Sequence, residues 1–460
     1  MKKTRVRIAP SPTGYPHIGT IYQALFNFAY ARRMHGDFIV RIEDTDRARF
    51  VEGSEDVIFA SLDWFGLTED ESPRKSGAVG PYRQSERLSI YHTYAQELLD
   101  KGHAYFDYYP RTDAGVKKDY TKENLEKEQV QERPEPPKSV AEMLMRADWV
   151  LRMKVPDTGE ITVHDEIRGD ITFDYKQVSK QILLKSDGFP TYHLGVVVDD
   201  HLMEITDIVR AEEWISSLPK HVLLYKYFGW EMPRVYHTAT LRNPDKSKLS
   251  KRHGHTNVNW FRDEGYIQEA ILNYLALLGW SHPEEKEIFP LSEFIKLFDL
   301  KDIRPVAPIF DLTKLTWMNQ QYIQKMTDGE LKDRLFSHFP ELRNKDTSLL
   351  DRLLPLLKTR MEILNDFTLL TNHFFTEPTY EIHDVSEKEV ITAAKTALTE
   401  INNWNKDAIF AALKSVMQER RVRMPFFYKV FTGNDRGLPL PESLEILGRD
   451  KTLARLERIK

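Results

Sequence analysis

The chain has 460 residues, a formal net charge of −5 at pH 7 and no cysteine. That length exceeds one compact core, so two or more domains are expected, and the near balance of acidic and basic residues excludes a uniformly basic nucleic-acid coat while leaving room for a local basic face. Without thiols there are no disulfides, thiolate zinc sites or cysteine nucleophiles.

The N-terminus MKKTRVRIAP has no apolar run behind its basic residues and is not read as a secretory signal. No segment approaches the ~20 apolar residues of a spanning helix, so a soluble, cytoplasmic protein is expected. TRVRIA alternates polar and apolar residues and predicts a strand. The loop RIAPSPTGYPHIGT follows, rich in proline and glycine. Ile21, Leu25, Phe28 and Ala29 then recur at helical spacing, with Gly36 as the expected C-cap. DFIVRIEDTD reads as a second strand, completing a βαβ unit and predicting a parallel sheet. SEDVIFASLDWFGL supplies another helix.

After about residue 100 the composition shifts. KKDYTKENLEKEQVQERPEPPK is read as a solvated helix and loop. VLRMKVP and ITVHDEIRGDITF read as strands, and QILLKSDGFPTYHLGVVVDDH as a buried central strand. Residues 92–189 are taken as an insertion within the α/β domain. From about residue 255 helices dominate: IQEAILNYLALLGW; SLLDRLLPLLKTRMEILNDF, with Leu350, Leu354, Leu357, Met361 and Leu364 on one face; VITAAKTALTEI, with Ser386 and Glu389 at capping-box spacing; DAIFAALKSVMQERR; and PESLEILGRDKTLARLERI.

A strand feeding a tight loop and then a helix presents backbone N–H groups to an anion. The loop is neither a Walker P-loop nor the dinucleotide glycine fingerprint. It offers His17, a possible donor to phosphate oxygen, and Gly19, which lets a ligand approach the backbone. Taken alone, His17 reads equally as a helix cap. The second cluster, NPDKSKLSKRHG, carries Lys246, Lys248, Lys251 and Arg252 between turn residues. Taken alone it is a solvated basic loop. Together the two loops suit nucleotide activation, in which fixed cations stabilise the charge that grows on departing pyrophosphate.

PHIGT and KLSKR resemble the HIGH and KMSKS signatures of class I aminoacyl-tRNA synthetases. RIAPSPTGYPHIGT, FIVRIEDTDR, GPYRQSERL, SDGFPTYHLGVVVDDH, RAEEWISSLPKH, LRNPDKSKLSKR and FDLTKLTWMN, in that order, resemble glutamyl-tRNA synthetase of the bacterial and organellar type. The resemblance implies an α/β Rossmann-type catalytic domain (1–91 and 190–228) split by an α+β acceptor-binding insertion (92–189). A stem-contact domain with the KLSKR loop (229–327) and an all-helical anticodon-binding module (328–460) follow. It implies ATP with Mg²⁺, L-glutamate and tRNA(Glu) as partners, transfer to a 2′-hydroxyl, and a monomer.

Glutamate carries two carboxylates and one ammonium, so its site needs two multi-donor anchors and one acid. Arg7 and Arg210 are the carboxylate candidates, since guanidinium meets carboxylate bidentately; Glu43 is the ammonium candidate. Ala9 and Ser11 would line the pocket and Tyr192 close it. Each matches a glutamate-contacting position of the family pattern. Read without the family, Arg7 is a strand-edge residue and Glu43 a capping acid. His17, Thr20, Lys248 and Lys251 are the catalytic candidates; His17, Gly19, Glu213, Lys248 and Lys251 would contact ATP. Asp199, Asp200 and His201 are acceptor-end or structural residues. Many relatives announce a zinc in the insertion with Cys-x-Cys; Asp107 and Tyr109 stand at those places, so no zinc is expected. Thr20 replaces the second histidine of the class signature, as is usual in glutamyl enzymes. Alternatives are an enzyme that also charges tRNA(Gln), glutaminyl-tRNA synthetase, a truncated glutamyl-queuosine enzyme, and a non-catalytic tRNA-binding paralogue.

Overall fold

Strand β1 (Arg5–Ile8) is buried along its whole length, arginines included. The alternation seen in the sequence therefore does not mark a wet face: Arg5 pairs with Asp37 and Glu71, and Arg7 with Asp200. A strand covered on both sides is the habit of parallel sheets. In this computed structural model, which describes residues 2–108, 134–249, 256–344 and 347–458, helix α1 (Ile18–Arg33) carries the chain to β2 (Asp37–Val40), parallel to β1 with Arg5 opposite Asp37 and Ile8 opposite Val40. Helix α1 ends before Gly36; His35, at φ 52°, makes the left-handed turn. Gly36 serves close packing instead, since a Cβ there would lie 2.3 Å from the Thr4 carbonyl oxygen.

Helix α2 (Ser54–Trp64) follows as expected, and the junction expected at 91/92 falls within α3 (Leu88–Asp100). Strand β3 (Ala104–Tyr108), helix α4 (Val140–Leu144), strand β4 (Trp149–Met153), the hairpin β5 (Glu160–Asp165) and β6 (Gly169–Asp174), and β7 (Ile182–Leu184) come next. Strands β3, β4 and β7 form an antiparallel sheet. Asp107, one of the two residues that the resemblance set against a Cys-x-Cys motif, pairs with Arg152 at 2.5 Å; Tyr109 and most of the charged stretch lie outside the described residues.

The expected strand over the LGVVVDDH run is a helix, α5 (Tyr192–Leu202). Its apolar residues Leu194 and Val196 to Val198 are all buried, and a short run buried on every side has no period that separates strand from helix. Pro190 and the extended Thr191 break the chain after β7 and let the helix start. Strand β8 (Asp207–Ala211), helix α6 (Leu218–Phe228) and strand β9 (Arg234–Thr238) form a second βαβ unit, with β8 and β9 parallel. Thr206 N–H donates to the Arg5 carbonyl at 2.9 Å, setting β8 beside β1. Tyr91, Trp149, Leu151, Leu183, Leu194 and Leu223 share one core.

Two compact units emerge: Met1–Trp260 with Leu272–Asp311, and Phe261–Ile271 with Leu312–Lys460. The second is helical. Helix Thr347–Arg360 buries Leu350, Leu354 and Leu357, but it ends before Met361 and Leu364, which join the core from the next turn. There the Asp366 carboxylate accepts the Glu362 and Ile363 N–H groups at 2.7 and 3.0 Å. Helix Val385–Thr399 is capped by Asp384, which accepts from the Glu387 N–H, rather than by Ser386. The terminal run is two helices, Leu440–Leu447 and Arg449–Arg458, split at Gly448 with φ 91°. Helices Gln268–Gly279 and Lys406–Arg420 stand where the periodicity placed them.

Candidate active site

Ala9 follows β1, Glu43 lies just beyond β2 and Arg210 stands next to last in β8, so the carboxyl ends of the parallel strands converge on one place. A cleft of about 900 Å³ opens there. Its lining includes Arg7, Ala9, Ser11, His17, Gly19, Thr20, Glu43, Tyr192, Arg210, Glu213 and Lys248, which is every described residue that the sequence assigned to the site. Lys251 lies outside the described residues.

His17 is the N-cap of α1 and accepts the Gly19 N–H at Nδ1, 3.0 Å. The capping reading is thus correct as far as it goes, and it also fixes the ring: with Nδ1 accepting, the proton of neutral His17 resides on Nε2. Thr20 N–H bonds the His17 carbonyl at 2.7 Å. The helix N-terminus so built faces the cleft and favours anions.

Behind the glutamate-site candidates lies a buried ionic layer. Arg7 forks onto Asp200 through Nε and Nη2, both at 2.9 Å. Arg41 bonds the same carboxylate at 2.7 Å and Glu43 at 3.2 Å. Asp199 receives Gln84, Arg87 and Tyr91. Asp199 and Asp200 are thus internal counter-ions. His201 stacks on Trp230 with centroids 3.7 Å apart. Burial alone would raise the Asp200 pKa, but Arg7 and Arg41 outweigh it and hold the carboxyl below its ordinary value. For Glu43 burial wins over Arg41 and Arg7, and its pKa is pushed up to about 7.

Arg210 differs from these arginines. It is 7% exposed, and no carboxylate pairs with it among the described residues. Its Nε donates to His237 Nε2 at 2.9 Å, and Nη1 to the Tyr192 hydroxyl at 3.1 Å and His221 Nδ1 at 3.2 Å. Nη2 is buried without a hydrogen-bond partner among the described residues. A desolvated guanidinium with neutral neighbours and an idle nitrogen is a strong anion receptor. Tyr192 packs on Trp214 with centroids 4.4 Å apart; burial raises its pKa and keeps the phenol protonated.

At the other side of the cleft Lys248 pairs with Glu213, both side chains being largely exposed. The turn that carries Lys248 is held by Asn243, whose amide donates to Ser247 Oγ at 3.0 Å and to the Lys248 carbonyl at 3.3 Å. The Asn-Pro turn therefore forms where the sequence placed it.

Sequence reasoning missed Arg41, Gln84, His221 and His237. Arg41 could have been found: it lies two residues before Glu43, so it shares that side of an extended chain. The histidines are separated from their partners in sequence, and only folding brings them together.

Parallel strands, an α1 N-terminus and a cleft at the strand ends define a Rossmann-type α/β catalytic domain. Residues 3–317 match the family described as tRNA synthetases class I (E and Q), catalytic domain, and residues 318–460 match the anticodon binding domain. The glutamate–tRNA ligase of Thermus thermophilus is 43% identical over 473 residues, 98% of each chain. That of Acinetobacter baumannii is 41% identical over 481 residues, 99% of this chain and 93% of the other. The crystal structure of a glutamate tRNA ligase from Elizabethkingia meningosepticum, in complex with its amino acid, is similar with a TM-score of 0.82 at 30% identity, covering 100% of both chains. The chain belongs to the class I aminoacyl-tRNA synthetases of the glutamate and glutamine family. The reaction of that family is the ATP-dependent attachment of an amino acid to tRNA.

Proposed function

We propose that the protein joins L-glutamate to tRNA(Glu) in two steps. A glutamate α-carboxylate oxygen attacks the α-phosphorus of ATP, forming the P–O bond of glutamyl-adenylate and releasing pyrophosphate. The 2′-hydroxyl of the terminal adenosine then attacks the acyl carbon, and AMP leaves. In this reading Arg210 and Arg7 anchor the two carboxylates, Glu43 holds the ammonium, Ala9 and Ser11 form the pocket wall, and Tyr192 donates its phenol proton. His17, Gly19 and Thr20 at the α1 N-terminus, with Glu213 and Lys248, meet the nucleotide; Lys251 is assigned to it from sequence. Mg²⁺ arrives with ATP on its phosphates. The protein acts as a cytoplasmic monomer.

The observation that carries the amino-acid assignment is Arg210. Arg7 is already matched by Asp200, whereas Arg210 is buried with neutral partners and has Nη2 to spare. A substrate carboxylate completes it. Glutamine would set an amide NH₂ against one N–H of the fork, and unpaired polar groups in a dry site are costly. Arg210→Gln is expected to raise the Michaelis constant for glutamate about 100-fold and to narrow the preference over glutamine. Aminoacylation kinetics with both amino acids, each with tRNA(Glu) and tRNA(Gln), test this; an unchanged glutamate preference would remove Arg210 from substrate reading.

A further inference from the structure

A buried acid–histidine couple stands behind Arg210 and is used by none of the roles above. Asp165, at the end of β5, and His237, on β9, are both fully buried. Asp165 Oδ1 accepts the Ile167 and Arg168 N–H groups at 3.0 and 2.9 Å. Its Oδ2 accepts the His237 backbone N–H at 3.1 Å and His237 Nδ1 at 2.6 Å. Burial is the largest influence on this carboxyl and raises its pKa, yet His237 and the two backbone donors together bring it below the ordinary value, so it is ionised.

The hydrogen bonds fix the protons. An ionised Asp165 only accepts, so His237 carries its proton on Nδ1. Nε2 then presents a lone pair, and Arg210 Nε–H donates to it at 2.9 Å. On the opposite side His221 Nδ1 accepts from Arg210 Nη1, while its Nε2 lies 3.1 Å from His193 Nδ1. A ring that accepts from a guanidinium cannot be imidazolium at that nitrogen, so both imidazoles are neutral. Arg210 is therefore satisfied on Nε and Nη1 without losing its charge. A carboxylate in place of either imidazole would give Arg210 an internal counter-ion, as Asp200 does for Arg7.

We propose that His237, fixed as the Nδ1–H tautomer by Asp165, is a specificity-determining positioning residue: it aims Arg210 with a neutral acceptor, so that the guanidinium keeps its charge and its Nη2 hydrogens for a substrate carboxylate. The inference rests on Arg210 being a carboxylate anchor. It also gives the β5–β6 hairpin, which lies in the segment read as the insertion, a part in amino-acid selection through Asp165.

The test compares two replacements of nearly equal shape in the full chain, His237→Gln and His237→Glu, with Arg210→Gln and Asp165→Asn beside them. His237→Gln offers a neutral oxygen to Arg210 and is expected to keep the Michaelis constant for glutamate within about fivefold of wild type. His237→Glu neutralises Arg210 and is expected to raise that constant about 100-fold and to bring glutamine toward parity, with the constants for ATP and tRNA little changed. A merely structural histidine would make the two variants alike, and that result overturns the proposal. If the His237→Glu variant does not fold, Asp165→Asn decides: releasing the tautomer turns a donor toward Arg210 and should raise the glutamate constant at least about tenfold, whereas a wild-type value overturns the proposal. Arg210→Gln separates the two readings. If it leaves glutamate kinetics unchanged, the anchor assignment fails. If it impairs them while His237→Glu does not, only the histidine inference fails.

Discussion

The Glu43 carboxyl is nine-tenths buried, and loss of water outweighs the attraction of Arg41 and Arg7, pushing its pKa up to about 7. The folded protein thus holds this proton more tightly than the unfolded chain does, and stability declines as pH rises through the window from the ordinary carboxyl value to about 7. With Glu43 proposed as the partner of the substrate ammonium, binding would reverse the balance, because the ammonium favours the ionised form. Glutamate binding is therefore expected to weaken as pH falls below 7, with the Michaelis constant for glutamate climbing toward tenfold per pH unit well below it. Glu43→Gln should raise the constant at every pH and flatten this dependence. Aminoacylation kinetics between about pH 5.5 and 8.5 check both; a flat wild-type profile would assign the ammonium to another group. The residues assigned to glutamate could be picked out because each stands in a family segment of the sequence, and the fold gathers them at one cleft. Their partners were not, since Arg7 and Asp200 are joined across 193 residues and nothing local marks the pairing.

At the scale of elements, the turn from Leu241 to Leu249 shows how a loop presents charge. Leu249 N–H returns to the Leu241 carbonyl at 3.0 Å, Asn243 ties the inside, and Lys246 takes φ 66°. The frame leaves Lys248 at the cleft with Glu213 as its partner. An exposed pair of this kind is worth roughly 0–1 kcal/mol, so phosphate oxygens can displace Glu213 at little cost. Removing a contact to charge that develops only in the transition state costs far more, on the order of 3–4 kcal/mol. Lys248→Ala is accordingly expected to slow adenylate formation by about 100- to 1000-fold with tRNA affinity little changed. Glutamate-dependent ATP–pyrophosphate exchange in the presence of tRNA measures it; near-normal exchange would take Lys248 out of the mechanism. Elements with a clear period, such as Lys406–Arg420, were readable in advance. Helix α5 was not, because burial on all sides erases the polar face that distinguishes one period from another.

For the molecule as a whole, the absence of cysteine bears directly on stability. Among the described residues no group of three or more His, Cys, Asp or Glu side chains could hold a metal ion. The β3–β4 pair is tied by Asp107–Arg152, and the core beneath it is apolar, with Trp149, Leu151 and Leu183 buried. Chelator treatment is expected to leave the thermal unfolding midpoint unchanged, with aminoacylation restored by Mg²⁺ alone. Calorimetry and elemental analysis check this; stoichiometric zinc, or a lower midpoint after chelation, would overturn it.

The sequence by itself determined the class of protein, the βαβ beginning, the helical C-terminal third and part of the cleft's lining. These depend on local chemistry: turn residues that stop strands, apolar periods that start helices, and short segments whose residue types must act together. The tertiary structure decided how the charges are used. Arg7, Arg41 and Arg210 are alike as residues, yet Arg7 and Arg41 are matched by acids while Arg210 meets neutral rings. That difference depends on which distant side chain fills the space beside each guanidinium, and in a desolvated interior the neighbour determines whether an arginine holds the fold together or is left to receive a ligand.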